Sequence, residues 1–598
     1  MASPILEIRG LNVRFSTPDG EIHAVRGLDL EVGAAECLGV VGESGSGKSQ
    51  LFLGAVGLLA QNGRASGSVK YRGEEILGAP AATLNRLRGS KITMIFQDPL
   101  TSLTPHMRIG EQIMEGLRAH QRLPKDEAEK RALEVLELVR VPEARRRMRQ
   151  YPHELSGGMR QRVMIAMAMV CGPDLLIADE PTTSLDVTVQ AEILDIMRDL
   201  KAELKTSIIL VSHDMGVIAG MADRVLVMRE GEIVESGAVD DVYYRPAHDY
   251  TKELLQAMPR LDRPPATLAA PLAQDAQTTL KVEELRVNFP VSVGWKSKEL
   301  RAVDGVSFSL RQGEALGVVG ESGCGKSTLA RAVLKLAHKT DGAVLWLGRD
   351  LGSLADADMR KLRRDFQIVF QDPLASLDPR MTIGESIAEP LRALCPHLAP
   401  ADVIARVRRM MDMVGLEPAW INRYPHEFSG GQNQRVGVAR AMVVEPRLVI
   451  CDEAVSALDA SIQAQMVGLI RSLQQDFGMS LIFISHDLSV VRQLVHRVMV
   501  LYLGRVVELA DRDAIYEDAR HPYTRALISA APVPDPRLER AKKRIRLTGE
   551  LPSPLDTRSA LVFMKSRMID DPDAEQYRPK LIEVAPGHLV AEHDPVAI

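Results

Sequence analysis

GESGSGKSQ at residues 42–50 and GESGCGKST at residues 320–328 decide how this chain is read. Each runs directly out of a short apolar stretch, ECLGVVG (36–42) and EALGVVG (314–320). In the pattern G-x-x-x-x-G-K-S, glycines let backbone amides close around phosphate oxygens where a side chain would clash. The helix that follows adds its positive N-terminal end. Lys48 and Lys326 are placed to reach β- and γ-phosphates, and Ser49 and Ser327 to hold Mg²⁺. Gly42, Ser44, Gly45, Ser46, Gly47 and Gln50 complete the first candidate ATP loop; Gly320, Ser322, Gly323, Cys324, Gly325 and Thr328 complete the second.

The motifs around these loops also occur twice and in one order. Lys326 follows Lys48 by 278 residues, while Ser429 follows Ser156, Asp452 follows Asp179 and His486 follows His213 by 273 each. A constant offset of that length marks a duplicated domain. LLIADE (175–180) and LVICDE (448–453) are continuous apolar runs of the kind buried on both faces of a parallel sheet. Asp179 and Asp452 end those runs, where they can hold Mg²⁺. Glu180 and Glu453 follow, where each can act as general base on an attacking water. His213 and His486 close the next apolar runs, as γ-phosphate sensors would. Gln97 and Gln371 end KITMIFQD and QIVFQD, in reach of Mg²⁺ and of the helical segments that follow. The turns LSGGM (155–159) and FSGGQ (428–432) each open a helix: Ser156 or Ser429 as N-cap, with Gly157 and Gly158, or Gly430 and Gly431, leaving amides free for an anion.

Bulk properties narrow the class. The chain has 598 residues, 45% hydrophobic and 26% charged, with a net charge of −5. That is ordinary for a globular protein, and the acidic balance argues against nucleic acid as the main partner. No run approaches the ~18 apolar residues of a membrane span, and MASPILEIRG lacks the basic and apolar regions of a signal peptide. Work at a membrane would therefore require docking onto other subunits. None of the five cysteines, Cys37, Cys171, Cys324, Cys395 and Cys451, are paired at zinc or redox spacing, which favours a reducing compartment.

RVLVMREGEIVESG and RVMVLYLGRVVELA read as hairpins turning near Gly231 and Gly504. About 55 residues of helix-forming sequence lie between each glutamine and its SGG turn, predicting a helical subdomain inserted into an α/β core. The expected layout is a first ATPase domain at 1–260, a Pro/Ala-rich linker at 261–280, a second ATPase domain at 281–535, and an extension at 536–598 outside the repeat.

At these residues the chain resembles the ATP-binding cassette (ABC) ATPases, over residues 5–535. The resemblance implies an α/β fold of two tandem P-loop NTPase domains, each with a RecA-like core, an antiparallel β subdomain and a helical subdomain. It implies ATP and Mg²⁺ as cofactors, and that the signature of one half completes the ATP site of the other. Lys48, Gln97, Glu180 and His213 would face Ser429 to Gln432; Lys326, Gln371, Glu453 and His486 would face Ser156 to Met159. Phe15 and Phe289 match the adenine-stacking position. HDYTKELLQAMP (248–259) and HPYTRALISAAP (521–532) resemble the segment after the ATPase core in peptide and nickel importers. That implies two transmembrane permease subunits, a periplasmic solute-binding protein, a peptide-like solute, and a place on the cytoplasmic face of the bacterial inner membrane.

Some departures stand out. Met159 replaces the signature glutamine, Gln50 stands where Thr328 stands, and Ala454-Val455 replaces the Pro181-Thr182 type of pair. Both sites are expected to hydrolyse ATP, the Glu453 site more slowly. GELPSPL (549–555) is present but no cysteine follows it, so no iron–sulfur site is carried over. A tandem ABC protein of ribosomes would have a longer charged linker, and one of DNA repair would carry zinc cysteines. A sugar-importer fusion would show one degraded site.

Overall fold

The computed structural model describes residues 4–594 apart from 19, 99–101, 184, 264–271, 273–275, 294–295, 457, 546–554, 556–557, 559–560 and 575–576. Most of the linker and nearly all of GELPSPL lie outside the described residues. The chain divides into two compact units. One comprises residues 1–258, 459–461 and 532–542; the other comprises 259–458, 462–531 and 543–598.

The first unit is organised by the strand Cys37–Val41, which lies between parallel neighbours Ser207–Val211 and Arg224–Arg229. Leu175–Asp179 and then Ile92–Ile95 extend the sheet in parallel, and Glu232–Ala238 closes the other edge antiparallel. The central strands Cys37–Val41, Leu175–Asp179 and Ser207–Val211 are buried at every position because both faces are covered. Leu38, Val40, Leu175, Ile177, Ile209 and Val211 share a core with Leu6, Ile8 and Phe52 beneath a four-stranded antiparallel sheet. The alternate residues Val41, Leu176, Ala178, Ile208 and Leu210 share the core of the helical layer. The period of two assigns each side chain to its layer. The inserted helices are Ile109–His120, Lys125–Leu138 and Gly157–Met169.

The second unit repeats this around Ala315–Val319, with Leu316 and Val318 on one face and Ala315 and Val319 on the other. Its helices Ile383–Leu394, Pro400–Met413 and Gly430–Met442 correspond in order. Its main sheet has eight strands, however, because His588–Ala591 pairs antiparallel with Arg505–Asp511 and Leu581–Ala585 pairs with His588–Ala591. The 536–598 extension thus supplies two strands. A local signal marks this edge: Leu509 and Ala510 are buried where the first half has Ser236 and Gly237.

Both expected hairpins form. Glu230 and Gly231 have φ of 50° and 83°, and Leu503 and Gly504 have 44° and 80°. Two consecutive left-handed residues match the strands' twist, and a glycine takes the second place without steric cost. These turn glycines then donate to the phosphate loops, Gly231 N to Ser46 O at 3.1 Å and Gly504 N to Cys324 O at 2.9 Å.

Candidate functional site

Each phosphate loop joins its apolar strand to a helix, Lys48–Ala55 or Lys326–Val333. The helices are entered through Gly47 (φ 95°) and Gly325 (φ 101°). A Cβ on either glycine would collide with a backbone carbonyl oxygen, of Ala24 or of Ala302. Ser44, Gly45, Ser322 and Gly323 are exposed at the loop tips, and Gln50 and Thr328 lie in the first helical turns. Lys48 Nζ donates to Gly42 O at 2.7 Å and Glu43 O at 2.8 Å; Lys326 Nζ donates to Gly320 O at 2.7 Å and Glu321 O at 3.0 Å. Burial lowers the Lys48 pKa, against the opposing pull of Glu180.

The acidic pair is split by the backbone. Asp179 and Asp452 are the last residues of their strands. Ser327 Oγ donates to Asp452 Oδ1 at 2.8 Å, and Ser49 bonds to Asp179. Burial raises the pKa of both aspartates. Asp179 Oδ1 is buried without a hydrogen-bond partner. A buried, unsatisfied carboxylate oxygen beside a serine hydroxyl is a hard-oxygen donor set that fits Mg²⁺ completed by substrate phosphates. Glu180 and Glu453 then turn left-handed, with φ of 49° and 50°. Their amides still bond the next strand, Glu180 N to Val211 O at 2.9 Å and Glu453 N to Ile484 O at 3.0 Å. A non-glycine residue in this region is strained, and such strain is typical of functional positions.

Three predicted side chains meet at each glutamate site. Gln97 Nε2 donates to Glu180 Oε2 at 3.0 Å, and His213 Nδ1 lies 3.3 Å from Glu180 Oε1. In the second unit Gln371 Nε2 donates to Glu453 Oε2 at 3.0 Å, and His486 Nδ1 lies 3.5 Å from the same oxygen. The glutamines, expected near Mg²⁺, are thus brought to the glutamates. Burial alone would raise the Glu180 pKa, but His213, Thr183 and Lys48 outweigh it and hold the carboxyl low. The hydrogen bond to Glu180 raises the His213 pKa despite burial. Glu453 and His486 shift in the same directions. The flanking serine and aspartate shape the histidine turn: Ser212 Oγ accepts from Asp214 N at 3.0 Å, and Asp214 Oδ1 accepts from Gly216 N at 2.7 Å.

Ser156 caps the helix Gly157–Met169 by accepting from Met159 N at 3.3 Å. Ser429 accepts from Gln432 N at 3.3 Å, and Gln432 Oε1 accepts in return from Ser429 N at 2.9 Å. Met159 cannot return that bond, so only the second signature closes a reciprocal capping box. The glycines Gly157 and Gly430 border open space. Phe15 is half-buried on its strand, and Phe289 is 41% exposed.

The ABC transporter family model matches residues 25–183 and again 303–456. The chain belongs to the ABC transporter ATPase family. A second model, the oligopeptide/dipeptide transporter C-terminal region, matches residues 234–283 and 507–563 of this ABC ATPase. The chain is 44% identical to the glutathione import ATP-binding protein GsiA of Escherichia coli strain K12, over 99% of its length and 97% of the relative's. The GsiA protein of Pectobacterium atrosepticum gives the same identity and coverage. The dimeric ABC transporter cassette MJ0796 aligns over 39% of this chain and 98% of its own, at 26% identity and a TM-score of 0.36. This ABC ATPase is an ATP-hydrolysing subunit of a peptide-type importer. Among the described residues, no helix is long and apolar enough to cross a membrane.

In this ABC ATPase the HxYT segments reach the phosphate loops, a link that their spacing did not reveal. Glu43 N donates to Tyr250 Oη at 3.3 Å, and Glu321 N to Tyr523 Oη at 3.2 Å. Each segment is held by one glutamate. Glu235 accepts from Ala247 N at 2.8 Å and His248 N at 3.1 Å; Glu508 accepts from Arg520 N at 2.7 Å and His521 N at 3.1 Å. Thr183, which donates to Glu180 Oε2 at 2.9 Å, is a further site residue that the motif reading missed. Its repetition at Ser456 was a usable signal.

Proposed function

We propose that this chain is the motor of an importer for peptides or peptide-like solutes, with glutathione a leading candidate given its relatives. It binds two ATP molecules, each site completed by the signature of the other half. Lys48 and Lys326 hold the β- and γ-phosphates, with the amides of the loop glycines around them. Ser49 and Asp179, and Ser327 and Asp452, are the Mg²⁺ ligands, with Gln97 and Gln371 beside them. Mg²⁺ held by these residues would supply neutralisation of phosphate charge. Glu180 and Glu453 orient the attacking water and take its proton. His213 and His486 fix those carboxylates and sense the γ-phosphate, and Phe15 and Phe289 stack on adenine.

The observation that carries this reading is the duplicated Gln–Glu–His cluster, with glutamine-to-glutamate bonds of 3.0 Å in both units. Both glutamates are kept ionised, so catalysis rests chiefly on positioning. Two grooves support the partner reading. One of about 300 Å³ is lined by Leu58, Met94, Phe96, Met164 and Met167, and the other, about 150 Å³, includes Phe370, Pro373 and Pro390. Phe96 is 41% exposed there. The first groove, apolar and methionine-rich, suits the adaptable docking of a helix, and the second mixes apolar residues with Gln367, Gln434 and Arg440. The two grooves are the proposed seats of two permease subunits at the cytoplasmic face of the inner membrane, fed by a periplasmic solute-binding protein.

The test is to purify the assembled complex with Glu180→Gln and Glu453→Gln introduced separately. Each is expected to reduce ATP hydrolysis strongly. Full activity surviving in either variant would overturn the two-site reading. Identifying the solute that co-purifies with the binding component tests the peptide assignment.

A further inference from the structure

The two phosphate loops rest on different supports. Behind the first, Arg26 and Glu232 approach to 4.0 Å on the surface, their side chains 46% and 61% exposed. At the same places in the repeat the charges are exchanged. Asp304 and Arg505 pair at 3.0 Å, 3% and 8% exposed. Arg286 lies 3.9 Å from the same carboxylate, and Arg578, from the C-terminal segment, adds a third cation on Asp304 at 3.0 Å. The backbone here leads straight to the loop: Asp304 N donates to Gly504 O at 2.8 Å, and Gly504 N to Cys324 O at 2.9 Å.

A second exchange occurs at the tyrosine that touches the loop. In the first unit, the Arg229 guanidinium lies 5.0 Å from the centre of the Tyr250 ring. The second half has Tyr502 in place of Arg229, with its ring 4.7 Å from Tyr523. Phe563 of the C-terminal segment meets both rings, at 5.4 Å from Tyr502 and 6.3 Å from Tyr523. Tyr523 in turn accepts from Glu321 N and donates to Glu321 Oε2 at 3.3 Å. His588 Nε2, also from this segment, lies 2.8 Å from Glu508 Oε1, on the glutamate that holds the HPYT turn. Within the described residues, no strand is added at the corresponding edge of the first unit's sheet.

We propose that residues 561–594 form a positioning element for the second ATP loop, acting through Phe563 on Tyr523 and through Arg578 on the Asp304–Arg505 pair. The element gives the second site a nucleotide affinity that the first site sets without it. The exchanged residues and the segment that contacts them are matched: a tyrosine replaces arginine where Phe563 packs edge-on, and an aspartate replaces arginine where Arg578 pairs.

This proposal rests on the reading of the Lys326 loop as an ATP site. The test uses the full chain and the fluorescent nucleotide mant-ATP with Mg²⁺. Lys48→Ala leaves the second site to be read, and Lys326→Ala leaves the first. Phe563→Ala and Arg578→Ala should each weaken binding at the second site about fivefold and leave the first unchanged, and Arg578→Lys should recover part of the loss. Unchanged second-site affinity, or equal loss at both sites, would overturn the proposal. Arg578 is 34% exposed, so Arg578→Ala carries the test even if Phe563→Ala does not fold. If the Lys48→Ala chain with its C-terminal segment intact binds no mant-ATP, the ATP-site reading falls and this proposal with it.

Discussion

The Thr183 hydroxyl donates to the Glu180 carboxylate at 2.9 Å. The matching Ser456 turns instead to the Glu453 backbone and donates to its carbonyl oxygen at 3.0 Å. Lys326 takes up part of the difference, its Nζ 3.8 Å from Glu453 Oε1. The two glutamates therefore share glutamine and histidine partners but differ in the third group that holds them.

That difference makes Thr183→Ala more damaging than Ser456→Ala. A single hydroxyl bond to a partly exposed carboxylate contributes roughly 1 kcal/mol, so Thr183→Ala should cut turnover about fivefold with ATP affinity unchanged. Ser456→Ala should leave turnover within about twofold. Steady-state ATPase assays on the assembled complex decide it, and equal effects at both positions would contradict the assignment.

The Glu180–His213 pair makes stability depend on pH in a defined direction. The raised His213 pKa means its contribution is complete below the ordinary value of 6.5 and is lost as pH rises through the folded value. The lowered Glu180 pKa means its contribution is present above 4.5 and is lost as pH falls through the folded value. The melting-temperature gap between the unsubstituted chain and His213→Ala should therefore narrow as pH is raised beyond 6.5. A gap that widens over that range would refute the pairing.

Gln432→Met converts the second signature to the form of the first. It removes the bond from Ser429 N to Gln432 Oε1, which is 2.9 Å long. The expected cost is about 1 kcal/mol, read as a melting-temperature drop of roughly 2–4 °C. No change on differential scanning calorimetry would show that the reciprocal cap carries no stability.

Tyr250→Phe removes the acceptor for Glu43 N at the first phosphate loop. Leaving that amide without its partner should raise the ATP concentration for half-maximal binding about fivefold at the first site, with the fold intact. Titration with mant-ATP in a Lys326→Ala chain measures it. An unaltered affinity would separate the HxYT segment from nucleotide binding.

Much of this was legible in the chain because short-range chemistry writes short motifs. Loop glycines, strand-end acids and the SGG caps each answer to a local backbone requirement, and duplication at a fixed spacing removed chance as an explanation. Burial on both faces was equally readable in LLIAD and LVICD. What escaped were contacts between residues far apart in sequence. Nothing in HDYT announces that its tyrosine meets Glu43, some two hundred residues earlier. Nothing in the extension announces a pair of strands, although Leu509 and Ala510, more apolar than Ser236 and Gly237, register that something covers them. The exchange of Arg26 and Glu232 for Asp304 and Arg505 was also visible, but only a structure shows which of the two pairs is buried.

The segment 532–542 belongs with the first unit although residues of the second flank it on both sides in sequence. Tyr244 Oη donates to Asp535 Oδ1 at 2.6 Å, Arg537 lies 4.6 Å from the centre of the Tyr244 ring, and Arg540 Nη2 donates to Ala222 O at 2.5 Å. The boundary of duplication is therefore not the boundary of packing. A first half cut out at residue 260 would lack a piece of its own surface, and ribosomal synthesis would finish that surface only after most of the second half had been made.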